Sequence, residues 1–497
     1  MLFRKTHTLL ILSCFFLLSC GKRKKEISRT LSVGVFKKEI SSLKEYFQIP
    51  GMAVLVKKDD EIIYEDYLGY SNVETKTKLD STSLFPIASL TKVFSGISTM
   101  ALVEQGKLAL NTPANYYFES APFEPTVQLE HLLSHTSQGV PPGEQFYYSS
   151  RFGALTKVIE TAAETSFENV LNQQIIQPLR LKHTFLLKDS VTINSRKEVF
   201  AKPYLVKDTI QNGFVDFGYS SSAGVVSTAR DLLKIDNALD ANVLISEASK
   251  NQMFTPYKDD LPYGYGIFSE TFLGKRLIWA YGQYDCYSSL WLKVPSDNIT
   301  IILLANNNLM SDPARLIYGN ATSSLFVISA LKNLVFDSTD IPLFSNNQTA
   351  YNGSSDLHRE NLRAQALAAS FMARFDSKEM DHSIQLLRLL FSKYPNYLEY
   401  ANLALLHNLL FLKEVAFHME MEELIEFDQQ IVEIGEHLLQ KHPENPYANY
   451  YLASFYEKKE RVDKTAFYYQ RIVEAKNFSN FWYTSEAKQW LASQKNN

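Results

Sequence analysis

Thr82-Ser-Leu-Phe85-Pro-Ile-Ala-Ser89-Leu-Thr-Lys92 is the stretch on which the reading of this chain turns. Pro86 to Lys107 predicts one long helix, entered just after the proline and closed near Gly106. A spacing of three residues puts the Ser89 hydroxyl and the Lys92 amine on one helix face, with Cβ atoms ~5–6 Å apart. A serine hydroxyl is a poor nucleophile until a neighbouring base takes its proton, and a lysine poised by burial is such a base. The helix N-terminus adds a partial positive field and free N–H groups suited to an oxyanion. By itself the spacing is weak, since Ser41-x-x-Lys44 and Ser329-x-x-Lys332 satisfy it too.

Outward from this stretch, Val35 to Phe47 carries apolar residues near helical spacing. Met52 to Val56 and Ile62 to Tyr64, divided by the charged turn Lys57 to Glu61, predict a hairpin. From about Leu110 to Phe217 the text is helical and loop-rich, with Pro141-Pro142-Gly143 as a breaker. Strands return at Leu277–Ala280, Ser289–Val294 and Ile299–Ala305. Strands at both ends with helices inserted between predict one sheet whose edges meet, carrying a helical lobe.

The stretch around Ser89, running on through Leu102-Val-Glu-Gln-Gly106-Lys-Leu108, resembles the active-site helix of the class C β-lactamase and penicillin-binding-protein family. Leu132-Leu-Ser-His135-Thr-Ser137 resembles that family's Leu-Leu-x-His-Thr-Ser segment. Pro142-Gly143-x-x-Phe146-x-Tyr148-Ser-Ser150 resembles its second motif, a Tyr-x-Asn following Pro-Gly. Ala223-Gly224-Val-Val-Ser227-Thr-Ala-Arg-Asp231-Leu is similar to a further segment. The resemblance keeps the family's order and covers roughly residues 35 to 335. It implies an α/β (α+β) three-layer fold of the serine β-lactamase/transpeptidase type, an antiparallel sheet flanked by helices plus a helical lobe.

The resemblance also implies roles. Ser89 is the expected nucleophile, Lys92 its proton acceptor, and Tyr148 the second base or acid serving the leaving group. The alternative for Tyr148 is a packed aromatic beside Phe146 and Tyr147. His135 takes a structural place in the family, so a hydrogen-bonded, non-catalytic histidine is expected. Tyr70-Ser-Asn72 matches Tyr-x-Asn more closely but precedes Ser89, and reads as a chance match in a loop. Two departures stand out. The second motif ends in Ser150, shorter than asparagine and with one donor against two. At the third motif, where the family has Lys-Thr-Gly or His-x-Gly, this chain has Ala280-Tyr281-Gly282. Gly282 keeps the close backbone approach, and the Gln283 N–H remains available to complete an oxyanion hole with that of Ser89. The lost cation typically carries a charge-assisted bond worth ~1.5–3 kcal/mol. Ser150, Tyr281, Gly282 and Gln283 are the expected substrate contacts, with Arg276 or Lys275 as replacement cations.

The ends of the chain place this unit. Arg4 and Lys5 precede the apolar run Leu9 to Leu18, about ten residues and too short to span a bilayer of ~30 Å. Leu17-Leu18-Ser19-Cys20-Gly21 resembles the bacterial lipobox, which makes residues 1–19 a lipoprotein signal peptide and Cys20 the acylated first residue. Removing Arg4 and Lys5 takes the net charge from −4 to −6. Residues 20–34 form a tether whose Lys22 to Lys25 either rests on anionic head groups or is simply solvated. With Cys14 discarded and Cys20 acylated, Cys286 is the lone remaining thiol. Residues 35–345 then form the hydrolase domain and the Asn-, Gly- and Ser-rich stretch 346–360 a linker. Residues 361–497 read as an all-α helical-hairpin domain. There Lys393-Tyr394-Pro395 recurs as Lys441-His442-Pro443, and Pro446 to Ala475 looks like one tetratricopeptide unit.

At 45% hydrophobic and 21% charged residues, the composition is that of a globular protein, and nothing in it favours nucleic acid as a partner. The expected function is a lipid-anchored, cofactor- and metal-free serine hydrolase of the bacterial cell envelope, facing the periplasm or cell surface. It acts on a small-molecule or cell-envelope ester or amide, esterase-like or D-alanyl-D-alanine carboxypeptidase-like, with a protein partner for the helical region. Ser150 and Ala280 motivate a rival: a catalytically weak binding protein that uses both regions as recognition surfaces.

Overall fold

The computed structural model describes residues 32–207, 209–344, 353–419, 426–478 and 480–494. The signal peptide, Cys20, the lysine tether and part of the 346–360 linker lie outside the described residues. Among the described residues no helix is long and apolar enough to cross a membrane.

Alternation of side chains builds the centre. Strand β1 (Gly51–Lys58) pairs antiparallel with both β2 (Glu61–Asn72) and the strand closing the hydrolase unit, β7 (Ile299–Ala305). The two-residue strand β3 (Thr77–Lys78) edges the sheet beyond β2. On the other side follow β6 (Tyr287–Val294), β5 (Lys275–Tyr284) and β4 (Phe268–Phe272), giving the order β3-β2-β1-β7-β6-β5-β4. Chain-distant β1 and β7 are thus neighbours at the centre, as the sequence pattern predicts. Ala53, Leu55, Ile302 and Leu304 face one core, and Met52, Val54, Val56, Ile301 and Leu303 face the other. Successive strand residues point to opposite faces, so one run of apolar residues serves two helical layers.

The first layer contains α1 (residues 32–46) and the Leu325–Ala330 helix. The second contains α2 (Thr91–Glu104) and, toward the sheet's far end, α3 (Ala229–Asp240). Helix α3 is clipped to the sheet by a cluster in which only Asp240 is exposed: Lys57 reaches Asp236 at 2.7 Å and Asp240 at 2.9 Å, and Lys293 reaches them at 2.9 and 2.8 Å.

Three expectations need correction. The long helix does not start after Pro86: Phe85–Pro86 is a short strand paired with Val225–Ser227, a 3₁₀ turn follows at Ala88–Leu90, and α2 begins only at Thr91. Proline offers no N–H, so its place beside Val226 costs that ladder nothing. Tyr70-Ser-Asn72 is the end of β2, not a loop. The strand expected to end at Ala280 runs on to Tyr284, where the two-residue turn Asp285-Cys286 folds it onto β6.

The C-terminal region is helical: α4 (Asp356–Met372), α5 (Lys378–Lys393), α6 (Leu403–His418), α7 (Asp428–Lys441), α8 (Pro446–Lys458), α9 (Val462–Glu474) and α10 (Thr484–Gln494). Lys393 and Lys441 each close a helix, so that recurrence marks equivalent points. The sequence holds a second recurrence, Tyr400-Ala-Asn402 with Tyr447-Ala-Asn449, and it does not: Asn402 caps α6 through the Leu405 N–H, whereas Asn449 lies inside α8. Helix α4 is buried on opposite faces. Leu357, Ala364, Ala368 and Phe371 join the core under the sheet, and Leu362, Ala366 and Ala369 join the helical core. The two regions therefore share a helix.

Candidate active site

Ser89 sits where the chain changes from strand to helix. Ile87 N–H donates to the Val225 carbonyl at 2.9 Å, and the Ile87 carbonyl accepts from Ser289 Oγ at 2.8 Å. Thr91 Oγ1 takes the Val225 N–H at 3.1 Å, so the turn is held from both sides. Between these anchors Ala88 adopts φ +46°, a left-handed conformation that a side chain disfavours, and this bend presents Ser89 at the head of α2.

Lys92 points back along the first turn. Its Nζ donates to Ser89 Oγ at 3.0 Å and to the Ser222 carbonyl at 3.1 Å, and it lies 4.8 Å from the centre of the Tyr148 ring. The side chain is 4% exposed and, among the described residues, forms no ion pair. Burial without a compensating carboxylate lowers its pKa to about 7. The two decoys behave differently. Lys332 is buried against Glu39 at 2.6 Å, and Ser329 Oγ donates to the same carboxylate, so that lysine is engaged in an ion pair and not with its serine. Ser41 Oγ donates to the Lys37 carbonyl inside α1.

Tyr148 is fixed by His135 on both sides of its own residue. The His135 carbonyl accepts the Tyr147 N–H at 2.9 Å, and His135 Nδ1 accepts the Ser149 N–H at 3.0 Å. The imidazole also stacks on the Tyr148 ring with centroids 4.3 Å apart. Burial, with Lys92 nearby, holds His135 well below its usual pKa, so the ring is neutral and structural at pH 7. Burial raises the Tyr148 phenol, while a hydrogen bond with Ser89 works the other way. A phenol raised by burial keeps its proton, which favours the acid half of the two roles expected of it.

Gly282 lies directly against the nucleophile turn. A Cβ there would stand 1.9 Å from the Ile87 carbonyl oxygen and 2.6 Å from Ser289 Oγ. Strand β4 pairs with β5 only as far as Trp279, so the outer edge of β5 beyond that point is open. With Tyr284 and Tyr287 closing the two-residue hairpin, Gln283 falls at a position whose N–H turns away from β6, toward that open edge. Ser89, in the first helical turn, likewise has an N–H without an i−4 acceptor. Tyr281 is buried with its ring tilted against Tyr148 at 5.9 Å. Ala280 is buried in the core that contains α2 and offers no functional group.

Neither expected replacement cation is close. Lys275 is paired with Asp297 at 2.6 Å, and Arg276, the second residue of β5, lies six residues from Gly282, ~20 Å at strand rise. The guanidinium that does line the cleft is Arg315, beside Asp312 at 3.3 Å, with its Nε buried and unpartnered. No motif in the sequence points to it. The cleft, about 760 Å³, brings together Ser89, Lys92, Tyr148, Ser150, Tyr281 and Gln283. Its opposite wall comes from the helical region: Tyr447, Tyr451, Asn480, Trp482 and Tyr483. The only sequence signal for that wall is the aromatic density of Phe481-Trp-Tyr483.

Comparison with known proteins identifies the family and the fold. Residues 36–321 match the Beta-lactamase family. The chain is 25% identical over 317 residues to "Penicillin-binding protein 4*" of Bacillus subtilis (strain 168), covering 53% of this chain and 70% of that one. It is 24% identical over 306 residues to "Protein flp" of Staphylococcus aureus (strain MW2), covering 52% of this chain and 60% of that one. The structure of the octameric penicillin-binding protein homologue from Pyrococcus abyssi aligns over 67% of this chain and 81% of its own, with TM-score 0.56 at 22% identity, and shares the fold.

Proposed function

The chain belongs to the β-lactamase family of serine hydrolases, and from that premise we propose that it forms an acyl-enzyme on Ser89 and hydrolyses an ester or amide. The observation that carries this is the buried Lys92 amine, 3.0 Å from Ser89 Oγ and, among the described residues, with no carboxylate to hold its proton. Once Lys92 is neutral, the same contact runs from the Ser89 O–H to the amine. Ser89 Oγ attacks the acyl carbon as its proton passes to Lys92, and the Ser89 and Gln283 N–H groups receive the oxyanion. The bond to the leaving group breaks as that group takes a proton by way of Tyr148. Water then attacks the acyl-enzyme and returns Ser89.

Ala280 removes the cation that would grip a terminal carboxylate near the nucleophile. This favours a neutral acyl donor over a β-lactam or a free D-alanyl terminus. The test is labelling with a fluorophosphonate, followed by mapping of the modified peptide. A single adduct on Ser89 that Ser89→Ala abolishes is expected; no adduct on the native chain, or one that survives the substitution, refutes the reading. We propose further that Cys20 is lipidated and anchors the enzyme at the cell envelope, and that the helical hairpins, tetratricopeptide-like in Pro446–Ala475, dock a protein partner. Metabolic labelling with a palmitate analogue, lost in Cys20→Ser, checks the anchor.

A further inference from the structure

A cavity of about 870 Å³ lies between α6, α8 and the end of α4, and Asp312 and Arg315 of the hydrolase unit complete it. One of its walls is a file of hydrogen bonds that begins at the Ser89 cleft. Arg315 donates to the Tyr318 hydroxyl, the Tyr318 and Tyr451 hydroxyls bond to each other, and Tyr451 Oη meets His407 Nδ1 at 3.0 Å. Arginine can only donate, so the direction that finds an acceptor for both hydroxyl protons runs from Tyr318 to Tyr451 to His407 Nδ1. His407 then carries its own proton on Nε2. Burial, with Arg315 nearby, holds this imidazole well below its usual pKa, so it is neutral at pH 7. His407 is 9% exposed and lines the cavity, and among the described residues its Nε2 has no partner. A buried N–H without an acceptor is a penalty that a ligand oxygen removes.

The charges nearby say what kind of oxygen fits. Arg315 and Arg374 lie in each other's field, and Asp312 acts on both but pairs with Arg315, at 3.3 Å. Among the described residues Arg374 forms no ion pair. Its Nε donates to the Phe371 carbonyl at 3.3 Å, and its guanidinium lies 3.8 Å from the centre of the Phe371 ring. The terminal N–H groups are left to the cavity that Arg374 lines. Glu414 also acts on Arg374 but is exposed on α6, where solvent screens it. The lining lysines Lys413 and Lys459 are held by Asp428 at 2.7 and 2.6 Å, and Lys458 and Glu460 are exposed at the rim. One positive charge is therefore uncompensated at the inner wall. Between the charged groups the surface is aromatic: His407 stacks on Phe411 at 5.5 Å, and Phe411 on Phe371 at 6.3 Å.

We propose that this cavity is a second ligand site, one that takes a carboxylate on an apolar body. An oxygen of the ligand accepts from His407 Nε2, its charge answers Arg374, and its body packs along Phe371 and Phe411. A dianion exceeds the one uncompensated charge, and a neutral molecule leaves that charge unanswered. The site is separate from Ser89 and does not depend on its being the nucleophile.

Isothermal titration of the full chain at pH 7 with three probes tests this: 4-phenylbutanoate, its uncharged amide 4-phenylbutanamide, and inorganic phosphate. The acid is expected to bind, the amide about tenfold more weakly, the size of one charge-assisted contact, and phosphate not measurably. Arg374→Gln, at an exposed position that does not threaten folding, should weaken the acid about tenfold and leave the amide unchanged. His407→Phe should weaken both, since each probe offers an oxygen to Nε2. Trp482→Ala, which alters the cleft and not the cavity, should change neither. No binding of the acid, equal affinity for acid and amide, or phosphate bound as tightly as the acid overturns the proposal. So does an affinity for the acid that Arg374→Gln leaves intact, or one that Trp482→Ala removes. If His407→Phe does not fold, Arg374→Gln decides. Fluorophosphonate labelling of Ser89 is unaffected by any of these outcomes, so the site and the nucleophile stand or fall separately.

Discussion

Lys92 gives up its hydration to the Tyr148 and Phe152 rings and the Ser222 carbonyl and gains no carboxylate among the described residues in return, so the charged form is penalised. Its pKa of about 7 against an ordinary 10.5 has two consequences. The base is competent only above that value, so kcat/KM for an ester should rise with pH on a limb centred near 7, and a pH–rate profile reads it directly. For stability the sign follows from proton counts. Between about 7 and 10.5 the unfolded chain binds a proton that the folded chain does not, so this group's destabilising contribution is greatest below pH 7 and shrinks as pH rises. The full conversion is up to about 5 kcal/mol. Lys92→Met should therefore raise the melting temperature at pH 6 more than at pH 10 while abolishing turnover. Spacing by itself cannot rank Ser89 and Lys92 above Ser329 and Lys332; the motifs around Ser89 do, and the structure shows the physical difference. The difference is Glu39, 293 residues before Lys332 and brought beside it only by the packing of α1.

At the scale of elements, the site depends on how closely β5 approaches the nucleophile turn. Gly282→Ala would place a methyl carbon inside the Ile87 carbonyl and force the two apart. A destabilisation of about 1–3 kcal/mol is expected, with loss of the Ser89 adduct, checked by thermal melting and labelling of the same preparation. The α3 clip is a second structural dependence. Asp236 is fully buried between Lys57 and Lys293 and also accepts from Thr300 Oγ1 at 2.9 Å. Asp236→Asn leaves two lysines short of a countercharge and should cost about 3–5 kcal/mol in denaturant unfolding. The hairpins were legible because period-two alternation and turn residues are local. The true start of α2 was not, because the strand that claims Phe85 and Pro86 lies 140 residues on, at Val225–Ser227.

For the whole molecule, the helical region is structural as well as functional. Helix α4 fills one core with Leu357, Ala364 and Phe371 and another with Leu362, Ala366 and Ala369. Truncation after residue 345 strips that helix from the Leu325–Ala330 layer and leaves an apolar face in water. The truncated chain is expected to aggregate or to melt well below the full chain, as size-exclusion chromatography and calorimetry would show. The same packing brings Tyr447, Trp482 and Tyr483 to the Ser89 cleft. A further cavity of about 870 Å³, lined mostly by the helical region, shares Asp312, Arg315, Tyr451 and Tyr483 with it.

The serine-lysine helix, the sheet that joins both ends of the hydrolase unit, and the order of the motifs follow from residues close to one another in sequence, through local periodicity and turn chemistry. Tertiary structure alone decided which serine-lysine pair has its lysine amine on the serine and which has it on a carboxylate, because that depends on which carboxylates packing brings near. It also decided that Arg315, Asn480 and Trp482 face the cleft. Arg315 and Asn480 carry no local pattern and Trp482 only its aromatic neighbours, and their meeting with Ser89 is a product of two cores sharing one helix.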